Sequence, residues 1–127
     1  MTHFDRPELV VASKTIDRVA IRRYADVTTD LNPIHLDPAF AATTPMRGII
    51  AHGMLSLNLI WQSLRATYGD AASKGAELEV RFVRPVREND TVSAGGRRKG
   101  GAAGIYEVQV TNQHGETVIT GTLTLAG

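Results

Sequence analysis

The segment Ile49-Ile50-Ala51-His52-Gly53-Met54-Leu55-Ser56-Leu57-Asn58-Leu59-Ile60-Trp61-Gln62-Ser63-Leu64-Arg65-Ala66-Thr67-Tyr68 decides the fold. Its apolar residues Met54, Leu55, Leu57, Leu59, Ile60, Trp61, Leu64 and Tyr68 cover more than one stripe of a helix, so the spacing predicts a helix buried on most sides. Such a helix needs other parts of the chain wrapped around it. The uncharged run to which it belongs, residues 48–64, also carries a histidine, two serines, an asparagine and a glutamine. It is too short and too polar for a membrane span, which takes about 20 predominantly apolar residues.

The wrapping is legible downstream. Leu78, Val80 and Phe82 alternate with Glu77, Glu79 and Arg81, predicting a strand with one face inward that Pro85 ends or marks as an edge. Residues 90–94 are a weaker strand. Tyr106, Val108 and Val110 alternate with Glu107, Gln109 and Thr111, Asn112-Gln113-His114-Gly115 forms a turn, and residues 117–125 return as a second strand of a hairpin. Upstream, residues 9–16 read as a short strand. A helix follows, with Ile16, Val19, Ala20, Tyr24 and Val27 on its apolar face and Thr15 as N-cap; it cannot run far past Asp30, because Asn32 precedes Pro33. Pro38 opens a short helix to Ala42. The sum is an α+β fold, an antiparallel sheet laid around one long helix, with no linker or repeat to divide residues 1–127 into more than one domain.

Composition narrows the chemistry. The 127 residues are 43% hydrophobic and 21% charged, ordinary values for a globular chain. With no cysteine there are no disulfides, thiolate nucleophiles or cysteine-held metals. A net charge of +1 provides no global field for nucleic acid or anionic membrane, so neither is expected as a partner. Residues 1–7 show no basic region followed by an apolar one, and the expectation is a cytoplasmic protein without a signal peptide.

Two clusters carry possible chemistry. Asp30-Leu31-Asn32-Pro33-Ile34-His35-Leu36-Asp37 holds carboxylates, an imidazole and a carboxamide within eight residues. Asp30 and Asn32 can serve simply as turn residues bonding local backbone. Alternatively, the Asn-Pro turn folds the chain back so that Asp30 and His35 approach one another and hold one water. The second cluster, Ile49 to Met54, opens the buried helix, where unpaired N–H groups and the helix dipole favour negative charge. Gly53 there can act through its backbone, while His52 reads either as a partly buried core histidine or as a group of the site.

The run Tyr24-Ala25, Asp30-Leu31-Asn32-Pro33-Ile34-His35-Leu36-Asp37, Phe40-Ala41 and Ile50-Ala51-His52-Gly53-Met54-Leu55 closely resembles the hydratase-2 motif of the (R)-specific enoyl-CoA hydratases, the MaoC-like dehydratases. The close match covers about a quarter of the chain, and the later segment around Arg81-Phe82, Pro85-Val86 and Asn89-Asp90 looks like the family's following strand and turn. The resemblance implies a hot-dog fold and the reversible hydration of trans-2-enoyl thioesters to (R)-3-hydroxyacyl thioesters. By it, Asp30 and His35 fall on the catalytic pair, Gly53 on the glycine whose N–H holds the thioester oxygen, and Asn32 on an orienting asparagine, with His52 as a further orienting or substrate-binding candidate. Tyr24 departs from the family, which commonly has phenylalanine there. The resemblance further implies a homodimer, a substrate carried by coenzyme A or acyl carrier protein, and no metal or organic cofactor.

Other readings have weaker support. His35, Asp37 and His52 could ligate a metal. Ser56 and Ser63 sit at helical apolar positions without a Gly-x-Ser-x-Gly elbow, which disfavours a serine hydrolase. A hot-dog thioesterase would share the fold but not the Asp30/His35 pattern. Gly95-Gly96-Arg97-Arg98-Lys99-Gly100-Gly101 reads as a solvated hairpin tip or as a contact for the phosphates of coenzyme A or for an acidic carrier. A non-catalytic thioester-binding subunit is the rival from another class. Leu31, Phe40, Thr43, Met46 and the central helix are expected to shape the acyl pocket.

Overall fold

Tyr106, Val108 and Val110, alternating apolar residues of the C-terminal half, point inward and become fully buried, which fixes the face the sheet turns to the helix. A computed structural model describes residues 4–126; the ends of the expected domain and the first part of the leader reading, residues 1–3, lie outside them. The strands are β1 (Ala12–Ile16), β2 (Glu77–Phe82), β3 (Asp90–Arg98), β4 (Ile105–Thr111) and β5 (Thr117–Thr124). They form one five-stranded sheet in the order β1-β3-β4-β5-β2, every pairing antiparallel. The hairpin between β4 and β5 turns at residues 112–115, where the Gly115 N–H donates to the Asn112 carbonyl and Gly115 has φ 76°.

The helices are α1 (Arg18–Thr28), α2 (Pro33–Leu36), α3 (Pro38–Ala42) and α4 (Gly53–Tyr68). α4 is the buried helix read from the sequence, with Leu57, Leu59, Ile60 and Leu64 no more than 6% exposed. It packs on β1, β3 and β4, and its core partners include Ile16, Val92, Tyr106 and Val108. This is the hot-dog arrangement, a sheet curled around one helix. One side of α4 stays open in the single chain: Met54 is 49% exposed, and Leu55, Asn58 and Trp61 are half-buried.

Several expectations are corrected. Asp17, not Thr15, caps α1, its carboxylate accepting from the Ala20 N–H, because Thr15 is still paired with Thr91 in the sheet. α1 buries Ile21 and Ala25, whereas Val19 and Val27 face outward. The helix begins two residues later than the spacing suggested, and its inner face rotates accordingly. The weak strand at 90–94 extends to Arg98, so Gly95 to Arg98 lie within β3 and not at a hairpin tip. Gly96 belongs there because a Cβ would come within 2.9 Å of both Leu9 and Val108. Phe82 is 52% exposed at the end of the edge strand β2.

Candidate active site

Local folding brings the polar residues together. α1 is capped by Thr29, whose φ of 58° turns the chain out of the helix just before Asp30. The Asn32 side-chain oxygen then caps α2, accepting from the Ile34 N–H at 3.1 Å, with Pro33 as the first helical residue. Asn32 is thus a capping residue that sets the orientation of the turn carrying His35. Asp37 caps α3 in the same way, its carboxylate accepting from Ala39 and Phe40. The short helix at Pro38–Ala42 is as expected.

His35 and His52 meet face to face, their ring centroids 3.8 Å apart and their planes 28° from parallel. Each ring has one nitrogen held by a backbone carbonyl. His35 Nδ1 lies 2.7 Å from the Ile50 oxygen and His52 Nε2 lies 3.0 Å from the Asp30 oxygen. A carbonyl only accepts, so both of these nitrogens carry the proton and donate. His35 Nε2 is left with a free lone pair. The Tyr24 and His52 rings pack in a T-shaped arrangement, their centroids 5.1 Å apart. His52 is 4% exposed and His35 half-buried, while the Asp30 carboxylate is open to solvent.

Asp30, His35 and His52 hold a carboxylate oxygen and two imidazole nitrogens within 4.8 Å of one another. Among the described residues this is the trio that could receive a metal ion; it differs from the disfavoured alternative of His35, Asp37 and His52, since Asp37 caps α3 and Asp30 stands in its place. The same three groups can hold a water molecule.

Gly53 is the first residue of α4, and its N–H has no partner within the helix at that position. It opens onto a cavity of about 280 Å³ whose walls include Met46, Ile50, Gly53, Ser56, Phe82 and Val86. Of the pocket residues expected from sequence, Met46 lines this cavity, whereas Leu31 and Phe40 are 56% and 45% exposed and lie outside its walls. The contribution of residues 83–86 was missed, because Pro85 reads only as a strand end. Asp30 and His35 do not line the cavity; they connect to it through Ile50, whose carbonyl holds His35, and through His52, the residue before Gly53. The Phe82 ring, part of the cavity wall, packs close against Gly53, where a Cβ would lie 2.8 Å from Phe82 Cε1.

Comparison with known proteins gives this geometry a lineage. The profile of the MaoC like domain matches residues 2–125. The chain belongs to the MaoC-like domain family. Among curated proteins of that family, an (R)-specific enoyl-CoA hydratase from Aeromonas caviae is 37% identical over 82 residues, covering 65% of this chain and 61% of the relative. One of the same name from Rhodospirillum rubrum is 35% identical over 82 residues, covering 65% of this chain and 57% of its own length. The matched segment therefore spans less than two thirds of either relative. Among solved structures, an unliganded R-hydratase from Pseudomonas aeruginosa superposes with a TM-score of 0.83 at 26% identity, covering 97% of this MaoC-like chain and 83% of the other. The (R)-hydratase from Aeromonas caviae has a TM-score of 0.78 at 27% identity, with 99% and 98% covered.

Proposed function

We propose that the protein is a hydro-lyase that reversibly hydrates trans-2-enoyl thioesters of coenzyme A or acyl carrier protein to (R)-3-hydroxyacyl thioesters. The observation that carries the reading is the convergence of Asp30 and His35 on His52, the residue before Gly53, whose N–H has no partner within the helix and which lines an apolar cavity. Family membership and the activity named for the relatives support it.

The chemistry requires a nucleophile at C3, a proton at C2 and a donor for the charge that builds on the thioester oxygen. Asp30 and His35 grip the water between a carboxylate oxygen and Nε2. His35 Nε2, whose lone pair is free because Nδ1 donates to Ile50, takes the water proton as the oxygen bonds to C3. The C2=C3 π electrons move toward the thioester carbonyl, and the Gly53 N–H stabilises the enolate-like oxygen at the positive end of α4. A proton returned from the pair to C2 completes the addition; reversed, the same steps dehydrate a 3-hydroxyacyl thioester. Asn32 orients the turn and His52 positions Asp30. No metal or organic cofactor takes part. The open side of α4 with Met54 and Leu55, and the edge strands β1 and β2, support a homodimer; a clean monomer by light scattering at micromolar concentration overturns that assignment.

The test is loss of ultraviolet absorbance of trans-2-enoyl-CoAs of several lengths with wild type, Asp30→Asn and His35→Ala at matched folding. Turnover in wild type that falls by about 10²–10⁴ in both variants supports the reading. Thioester binding without turnover in wild type favours instead the non-catalytic subunit of a hetero-oligomeric dehydratase.

A further inference from the structure

α4 carries three serine and threonine hydroxyls whose environments differ. Ser63 Oγ donates to the Val10 carbonyl at 2.5 Å. Thr67 Oγ1 donates to the Ser63 carbonyl at 2.7 Å and accepts from the Val10 N–H at 2.8 Å. Ser56 Oγ, on a residue only 1% exposed, has no partner among the described residues. A buried hydroxyl without a partner is unfavourable, and a helical serine ordinarily escapes by bonding the carbonyl four residues back. Here that carbonyl, on His52, already receives the Leu55 N–H at 3.1 Å.

Position explains what the hydroxyl is available for. Ser56 stands three residues after Gly53, so the two share a helix face. Helical side chains lean toward the N-terminus, which aims Oγ back over the first turn, where the Gly53 N–H is free. Both residues line the same cavity, whose other walls include Met46, Ile50, Val86 and Ile119. A polar side chain held unpaired in such a wall, three residues along the helix from the Gly53 N–H, can supply a second donor to the same cavity.

We propose that Ser56 Oγ is the second hydrogen-bond donor to the thioester oxygen, completing with the Gly53 N–H a two-donor oxyanion site. The assignment rests on the enoyl-thioester reading above. Because the enolate-like oxygen carries more charge than the ground-state carbonyl, the bond strengthens as water adds, and its loss lowers kcat more than it raises KM. The hydroxyl is a positioning and stabilising donor and exchanges no proton.

The experiment compares two non-reacting probes, butyryl-CoA and S-butyl-CoA, a thioether without the carbonyl oxygen, by calorimetry with the full chain as wild type, Ser56→Ala and Ser56→Cys. The expected result is a loss of roughly fivefold or more in affinity for butyryl-CoA in both variants, with S-butyl-CoA affinity held within about twofold. The kcat on crotonyl-CoA falls by about 10- to 100-fold with a smaller change in KM. Equal losses for both probes, meaning simple packing, overturn the proposal, as does no loss for either. If one variant fails to fold, the other decides. Wild type that binds neither probe overturns the thioester reading itself and the Ser56 assignment with it, whereas wild type that binds both without discrimination by the variants sinks the Ser56 assignment alone.

Discussion

The His52 side chain touches both members of the candidate pair at once: its ring lies 3.8 Å from that of His35, and its Nε2–H donates to the Asp30 carbonyl at 3.0 Å. It thereby ties the end of α1 to the start of α4 across the site. Replacing it with alanine removes the donor and the surface on which His35 rests. On the proposed mechanism, kcat falls by about 10²-fold with the fold intact, the scale expected when reacting groups are misplaced by an ångström. His52→Gln, which keeps an N–H, recovers part of the loss. Steady-state hydration kinetics beside circular dichroism check this, and an alanine variant as fast as wild type removes His52 from the site.

Gly53→Ala sets a methyl group 2.8 Å from Phe82 Cε1 and 3.1 Å from Cδ1. The ring is half-exposed and can swing aside, so the stability cost is about 1–2 kcal/mol, while the displaced ring crowds the cavity mouth. Activity therefore drops further than the melting temperature suggests. Combining the change with Phe82→Leu restores activity toward the level of Phe82→Leu alone, which a double-mutant cycle on kcat/KM measures.

Gly121 is under tighter constraint. It pairs with Val80, and a Cβ there would lie 2.1 Å from the Glu79 carbonyl oxygen, an immovable backbone atom. Gly121→Ala must push β2 away from β5, at a cost of about 3 kcal/mol. Because β2 ends at Phe82, cavity geometry suffers too. Urea denaturation reports the first effect and substrate KM the second; an unchanged midpoint contradicts the close approach.

Tyr106 links stability to alkaline pH. Burial pushes its phenol well above the ordinary range, with the hydrogen bond to the Tyr68 hydroxyl adding to the effect. Its own hydroxyl donates to the Arg6 carbonyl at 2.6 Å. A group whose folded pKa is raised contributes stability fully below its unfolded value, about 10, and loses it as pH rises above that. Melting temperature is thus expected to fall from about pH 10 upward, and less steeply in Tyr106→Phe than in wild type. Parallel slopes for the two proteins count against this role.

Much of this molecule can be read from residues whose partners lie close in sequence. The alternation at Tyr106, Val108 and Val110 gives β4 directly, and the all-round apolarity of residues 54–64 gives α4 and the need for a sheet around it. The motif residues Asp30, His35 and Gly53 stand out because a turn and a helix start are local features. What escaped depends on distant neighbours. Gly95 and Gly96 look like a turn until Leu9 and Val108 press on the strand that holds them. Asp17 displaces Thr15 as a cap only because β3 claims Thr15 for pairing. Ser56 is indistinguishable from Ser63 in sequence, since whether a buried hydroxyl has a partner is decided by another segment; Val10 comes to Ser63 and, among the described residues, nothing comes to Ser56.

The atom that orients His35 is the main-chain oxygen of Ile50, a residue that also lines the cavity. On the proposed mechanism one residue therefore serves the proton chemistry with a part that every amino acid possesses and the substrate wall with the part that varies. Substitution at position 50 can reshape what fits inside without disturbing the imidazole tautomer. On the proposed mechanism this separates two traits that commonly trade off: acyl preference is free to drift, or to be bred in the laboratory, by exchanging a side chain whose backbone keeps the candidate histidine aligned.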